Sequence, residues 1–170
     1  MTTTIELIPH LDGGDRALWR DNQNLRPLSD LGRRQAESVA EALAAGGPVD
    51  GLYSSPALRC VQTLEPLGAR VGLAVEIVAD LIEGHLDEDR LILGERCLNA
   101  LRPLVGKHEG GRIVACSHGD LIPGFAEHVI GRLGVAGTRR LERRGQWYTV
   151  RFDGDDIGLE LNLGPDDFPR

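Results

Sequence analysis

Lysine is nearly absent from this 170-residue chain: Lys107 stands alone, so almost every positive charge is an arginine. Arginine's planar fork suits bidentate phosphate contacts better than lysine's point charge does. A surplus of positive charge is missing as well. Asp and Glu number 26 against 19 Lys and Arg, giving a net charge of −7. That field repels nucleic acid and anionic membranes at long range, so neither is expected as a partner. No apolar run is long enough to span a bilayer. Met1–Leu7 has no basic region leading into a long apolar core, so no signal peptide is read there. The three cysteines, Cys60, Cys97 and Cys116, are odd in number and show neither CxxC nor metal-ligand spacing. A cytoplasmic protein with reduced, core-filling cysteines is expected, with no metal and no cofactor. No segment is compositionally disordered, no repeat is visible, and the length suits one domain over residues 1–170.

What the chain does contain is an alternation of strand and helix patterns. Thr3–Ile8 alternates β-branched and apolar residues as a strand does, and Pro9 closes it, which places His10 at a strand's end. Leu11–Leu28 has no period and reads as a functional loop. Ser29 caps a helix through Leu31, Val39, Ala40 and Leu43 that stops at Gly46-Gly47-Pro48. A strand over 49–54 follows, and Ser55-Pro56 provides a cap and first-turn proline for a helix through Leu58, Val61 and Leu64 that Pro66 interrupts. After a short strand at 75–78 and an acidic loop at 80–89, a helix is expected over 90–105. A strand at 112–116, apolar after Arg112, leads into Ser117-His118-Gly119-Asp120 and a helix over 121–130. Two late strands at 146–152 and 157–161 flank the turn Asp153-Gly154-Asp155.

This order predicts a three-layer α/β/α sandwich with a mostly parallel central sheet. Ligands bind such sheets beyond the carboxyl ends of the strands. His10 and His118 each follow a strand, and Arg59 lies one turn into the helix after another, so all three can face one cleft.

Four segments together resemble the histidine phosphatase superfamily, the phosphoglycerate-mutase-like enzymes. They are Leu7-Ile8-Pro9-His10; Arg26-Pro27-Leu28-Ser29 with Gly32-Arg33-Arg34-Gln35-Ala36; Tyr53 to Thr63 (YSSPALRCVQT); and Val114-Ala115-Cys116-Ser117-His118-Gly119-Asp120. The short length and the Arg-Pro-Leu segment look like SixA-type phosphohistidine phosphatases, and also like the phosphatase domain that follows some Nudix domains. The resemblance implies a metal-independent phosphatase in which His10 attacks phosphorus and carries the phosphate transiently. Arg59 and His118 would bind the phosphate oxygens, Arg26 would add a donor or else anchor its loop, and Glu83 would supply the proton for an alkoxide leaving group. Glu83 also has a plainer reading, as one acid of a solvated acidic loop. The implied partner is a small phosphorylated compound or a phosphohistidine protein; the sequence leaves the oligomeric state open. A mutase is less favoured, because it needs a lid over its intermediate and the chain has few residues to spare.

Two positions depart from the family pattern. Members carry an arginine just before the nucleophilic histidine and a small residue just after it, where this chain has Pro9 and Leu11. A lost phosphate donor costs about 10²–10³ in rate, and Leu11 adds bulk where backbone normally approaches the ligand. Either Arg16, Arg20 or Arg26 replaces the missing charge and catalysis survives, or the domain binds a phospho-ligand without turning it over. His85, His108 and His128 lack ligand spacing and are expected at the surface, Ser117 in a turn, and Trp147 and Tyr148 packed in a strand.

Overall fold

The computed structural model describes residues 1–136 and 140–170. Six strands form one sheet: β1 (Thr3–Pro9), β2 (Gly51–Ser54), β3 (Val75–Ile77), β4 (Arg112–Ser117), β5 (Trp147–Asp153) and β6 (Asp156–Asn162). Their spatial order is β3-β2-β4-β1-β5-β6. The first four run parallel, whereas β5 is antiparallel to β1 and makes a hairpin with β6. The hairpin accounts for the turn read at Asp153-Gly154-Asp155.

Among the described residues four α-helices cover the sheet: α1 (Asp30–Ala45), α2 (Leu58–Val71), α3 (Arg90–Lys107) and α4 (Leu121–Leu133). Side chains alternate between the two faces along each strand. Ile5, Leu7, Ile113, Ala115, Tyr148 and Val150 join residues of α3 and α4, such as Leu101 and Phe125, in one apolar cluster. Ile8, Leu52, Val114, Cys116 and Trp147 join Val39, Leu43, Leu64 and Leu67 of α1 and α2 in the other. The three layers expected from the sequence are present. No described helix is long and apolar enough to cross a membrane.

Several local expectations need correction. The 11–28 loop contains two single 3-10 turns, Arg16–Leu18 and Gln23–Leu25, capped by the side chains of Asp15 and Asn22. Pro66 lies inside α2 without ending it, and the helix continues to a left-handed Gly72. Ala57, not Ser55, is the N-cap of α2; the Ser55 hydroxyl, two residues earlier, accepts from Ala57 N at 3.3 Å and also meets His118. His128 is buried on α4, its Nδ1 without a partner among the described residues, rather than at the surface. Ser117 is the last, fully buried residue of β4.

Pro9 fits in an interior strand for a positional reason. The His10 N–H donates to Ser117 O of β4 at 2.9 Å, so Pro9's nitrogen faces the β5 side. Pairing with β5 has already ended there at Leu7↔Tyr148. No ladder bond is lost.

Glu6, 6% exposed, ties three strands together. Its Oε1 meets Arg112 Nε at 3.0 Å, and its Oε2 accepts from Trp147 Nε1 at 2.9 Å and Thr149 Oγ1 at 2.6 Å. Removing the carboxylate strands two buried donors, Trp147 and Thr149, and leaves the half-buried Arg112 guanidinium without its counter-ion. Glu6→Ala is expected to lose about 2–4 kcal/mol of stability by urea unfolding; a loss below about 1 kcal/mol would contradict this account of the sheet.

Candidate active site

Adjacent parallel strands β1 and β4 lead to helices on opposite faces, α1 on one and α4 on the other. Such a divergence opens a crevice at the carboxyl ends of the strands. His10 stands at the end of β1 and His118 at the end of β4, with ring centroids 5.5 Å apart and planes inclined at 71°.

Arg59, from the first turn of α2, lies between them and is 1% exposed. Its Nε donates to His10 Nε2 at 3.2 Å and its Nη1 to Gln23 O at 2.7 Å. Its Nη2 is 3.3 Å from His118 Nδ1 and 3.2 Å from Glu83 Oε1. The quartet His10, Arg59, His118 and Glu83 is therefore contiguous.

The partners fix both ring tautomers. His10 Nδ1 lies 2.8 Å from Leu11 O, which can only accept, so Nδ1 carries the proton. Arg59 Nε can only donate, so His10 Nε2 presents a lone pair. Burial drives the His10 imidazole from 6.5 down to about 3, opposed by the Leu11 carbonyl and reinforced by Arg59, His118 and Arg144. For His118 the roles are reversed. Nδ1 accepts from Arg59, and Nε2 donates to Ser55 Oγ at 2.8 Å, with Cys60 Sγ 3.6 Å from the same nitrogen.

Side chains of the quoted motifs hold this frame. Thr63 Oγ1 accepts from Leu11 N at 3.1 Å and donates to Arg59 O at 2.8 Å, linking the histidine loop to the arginine helix. Gln62 Oε1 accepts from Leu28 N at 2.8 Å, and Gln35 Oε1 from Asp12 N at 3.1 Å. Asp12 O packs so closely on the first turn of α1 that a Cβ at Gly32 would collide with it. Ser117 Oγ donates to Leu81 O at 2.6 Å, and Asp120 Oδ2 accepts from Gly84 N at 2.7 Å, which fixes the loop carrying Glu83.

The other expected residues fall elsewhere. Arg26 is buried, but its Nε bonds Gln23 Oε1 at 3.1 Å and its Nη1 bonds Gly13 O at 2.7 Å, so it anchors its own loop. Arg16 reaches Glu83 Oε2 at 3.2 Å, whereas Arg20 is exposed. Leu11 is fully buried in the apolar cluster against α1 and α2, so its bulk does not enter the crevice.

One nearby cation was not singled out from the sequence. Arg144, just before β5, donates from Nη1 to His10 O at 3.3 Å and Leu11 O at 3.2 Å. Its Nε is 3.6 Å from Asp12 Oδ1. The available signal was the Leu141-Glu142-Arg143-Arg144-Gly145 run ahead of a late strand; using it required knowing that β5 pairs with β1.

Known proteins resemble this chain in sequence and in fold. Residues 21–90 match the family model described as histidine phosphatase superfamily (branch 1). Over that segment the chain resembles the histidine phosphatase superfamily. A curated relative, from Mycolicibacterium smegmatis, is named 8-oxo-(d)GTP phosphatase. The two are 30% identical over 168 residues, covering 98% of this chain and 50% of the relative, so the chain spans about half that relative's length. Among solved structures, Bacillus stearothermophilus YhfR superposes with a TM-score of 0.81 at 16% identity, over 96% of this chain and 98% of that one. The protein histidine phosphatase SixA complexed with tungstate superposes at 0.64 and 22% identity, over 94% of each chain. At these identities the solved structures speak for the fold alone.

The lowered His10 value sets a pH dependence. Between about pH 6.5 and 3 the unfolded chain takes up a proton that the folded imidazole refuses, so this contribution to stability falls as pH drops through that window. By NMR, the His10 ring is expected to keep its neutral, Nδ1-protonated shifts down to about pH 4; titration near pH 6.5 would contradict the assignment.

Proposed function

We propose that the protein is a metal-independent phosphatase that forms a phosphohistidine on His10 and acts on protein phosphohistidine or a small phosphorylated compound. The observation that carries this reading is the Nε2 lone pair of a neutral His10 held 3.2 Å from a buried guanidinium. A nucleophile and an anion clamp are thereby within reach of one phosphorus atom.

In the first step Nε2 attacks phosphorus in line, a P–N bond forms, and the bond to the leaving group breaks. Arg59 transfers its donors from the two imidazoles to the phosphoryl oxygens, where charge accumulates in the transition state. Once Arg59 withdraws, His118 Nδ1 can receive a proton and bind the same oxygens as a cation. In the second step water attacks the phosphohistidine, the P–N bond breaks, orthophosphate leaves, and His10 returns to its neutral form.

Glu83 meets two guanidiniums, so as it stands it accepts hydrogen bonds rather than donating one. That arrangement suits taking a proton from the attacking water in the second step. It also favours a leaving group that needs little acid in the first, as an imidazole leaving from phosphohistidine does. Pro9 supports a second reading, a phospho-ligand binding module without turnover, because the family's donor at this position is missing.

The two readings separate on one measurement. The chain is incubated in excess EDTA with ³²P-phosphohistidine or a labelled aryl phosphate, quenched in base, and mapped for label. Label on His10 is expected, with steady turnover that falls at least about 10³-fold in His10→Ala and about 10²–10³-fold in Arg59→Ala. Turnover that survives in His10→Ala, or label on another residue, overturns the proposal. Saturable tungstate binding with no turnover selects the binding module.

A further inference from the structure

We propose that Arg144 is the phosphate-contacting cation that takes over from the arginine missing at position 9. The inference rests on the phosphate site proposed above and deepens it.

Three observations carry the assignment. First, Pro9, His10, Gly119, Pro123 and Arg144 line one open cavity of about 380 Å³, so Arg144 faces the same space as His10 and the residue whose side chain is wanting. Second, the chain holds Arg144 there by design of the turn. Gln146, 4% exposed, uses Oε1 to accept from Glu142 N at 2.8 Å and Arg143 N at 3.2 Å. Gly145 follows at φ 82°, and a Cβ there would strike the Phe168 ring, so the turn suits glycine alone. Third, the neighbouring arginine lines the same cavity but is tied down differently. Arg143 Nη2 donates to Leu163 O at 2.9 Å, whereas Arg144 bonds the histidine loop itself.

Arg144 is also incompletely used by the protein. Its Nη1 serves two carbonyls and its Nε faces Asp12 at 3.6 Å, but no bond among the described residues uses Nη2. Asp12 is itself shared, with Oδ2 accepting from Ser29 Oγ at 2.5 Å and Gly14 N at 3.1 Å. A half-exposed guanidinium beside the nucleophile, with a donor to spare, can close on the oxygens of a phosphoryl group opposite Arg59. Arg59 comes from the side of β4 and β2, Arg144 from the side of β5, and the phosphate lies between them.

Tungstate affinity of the full chain, read by calorimetry, tests this without requiring turnover. Arg144→Gln keeps a neutral donor for the His10 and Leu11 carbonyls but removes the charge, and Arg144→Ala removes both. Each is expected to weaken tungstate at least about tenfold. Adding Pro9→Arg to either variant is expected to recover most of that loss, since the cation returns from the neighbouring wall. Affinity within twofold of the parent in both variants, while Arg59→Ala abolishes binding, overturns the Arg144 assignment and leaves the phosphate site standing. A loss that Pro9→Arg does not recover overturns it too, because Arg144 would then act only by holding the His10 loop. No tungstate binding by the parent chain overturns the phosphate site and this inference together.

Discussion

Burying a guanidinium obliges the surrounding protein to supply acceptors for its donors, because an unsatisfied charged donor out of water is costly. Arg59 meets that requirement with a carbonyl from the 3-10 turn at Gln23–Leu25, a carboxylate from the acidic loop and one nitrogen from each histidine. Four separated chain segments are thereby pulled to one point. The same contacts fix the tautomers of both rings, so the arginine organises the chemistry of the site as well as its shape. A lysine there could not meet this geometry, having no planar fork.

The frame around Arg59 is built from short polar side chains that bond backbone. Thr63 and Gln62, one turn further along α2, secure the loops at Leu11 and Leu28. Ser117 and Asp120 secure the loop that brings Glu83. Each such bond ties a loop beside the site to a helix, strand or helix cap. The carboxyl end of the sheet, where we place the phosphate, is thereby cross-braced, which is what electrostatic preorganisation requires.

Much of this was legible in the sequence, and for identifiable reasons. His10 and His118 follow apolar strands, and Arg59 follows a Ser-Pro turn, so their place at one end of a parallel sheet followed from local pattern alone. The two 3-10 turns escaped because single turns capped by Asp15 and Asn22 leave no period to detect. Ser55 reads as a cap because it precedes a proline, whereas α2 starts two residues later and the Ser55 hydroxyl is shared between Ala57 N and His118, 63 residues away. Leu11 was misjudged because its direction depends on how the histidine loop turns under Thr63. Arg144 was invisible for a topological reason. It reaches His10 across 134 residues, and only the antiparallel pairing of β5 with β1 lays the start of one strand beside the end of the other.

The site carries its positive charge on fixed arginines rather than on the whole molecule, which is acidic. On the proposed function, anions would be selected by local geometry, not by long-range field. The central claim, that His10 Nε2 and Arg59 share one phosphorus, is tested most directly by a crystal structure with orthovanadate. The account predicts vanadium bonded to His10 Nε2, with equatorial oxygens on the Arg59 fork and on His118. Vanadate bound away from His10, or a His10 ring turned so that Nδ1 faces the metal, would contradict it.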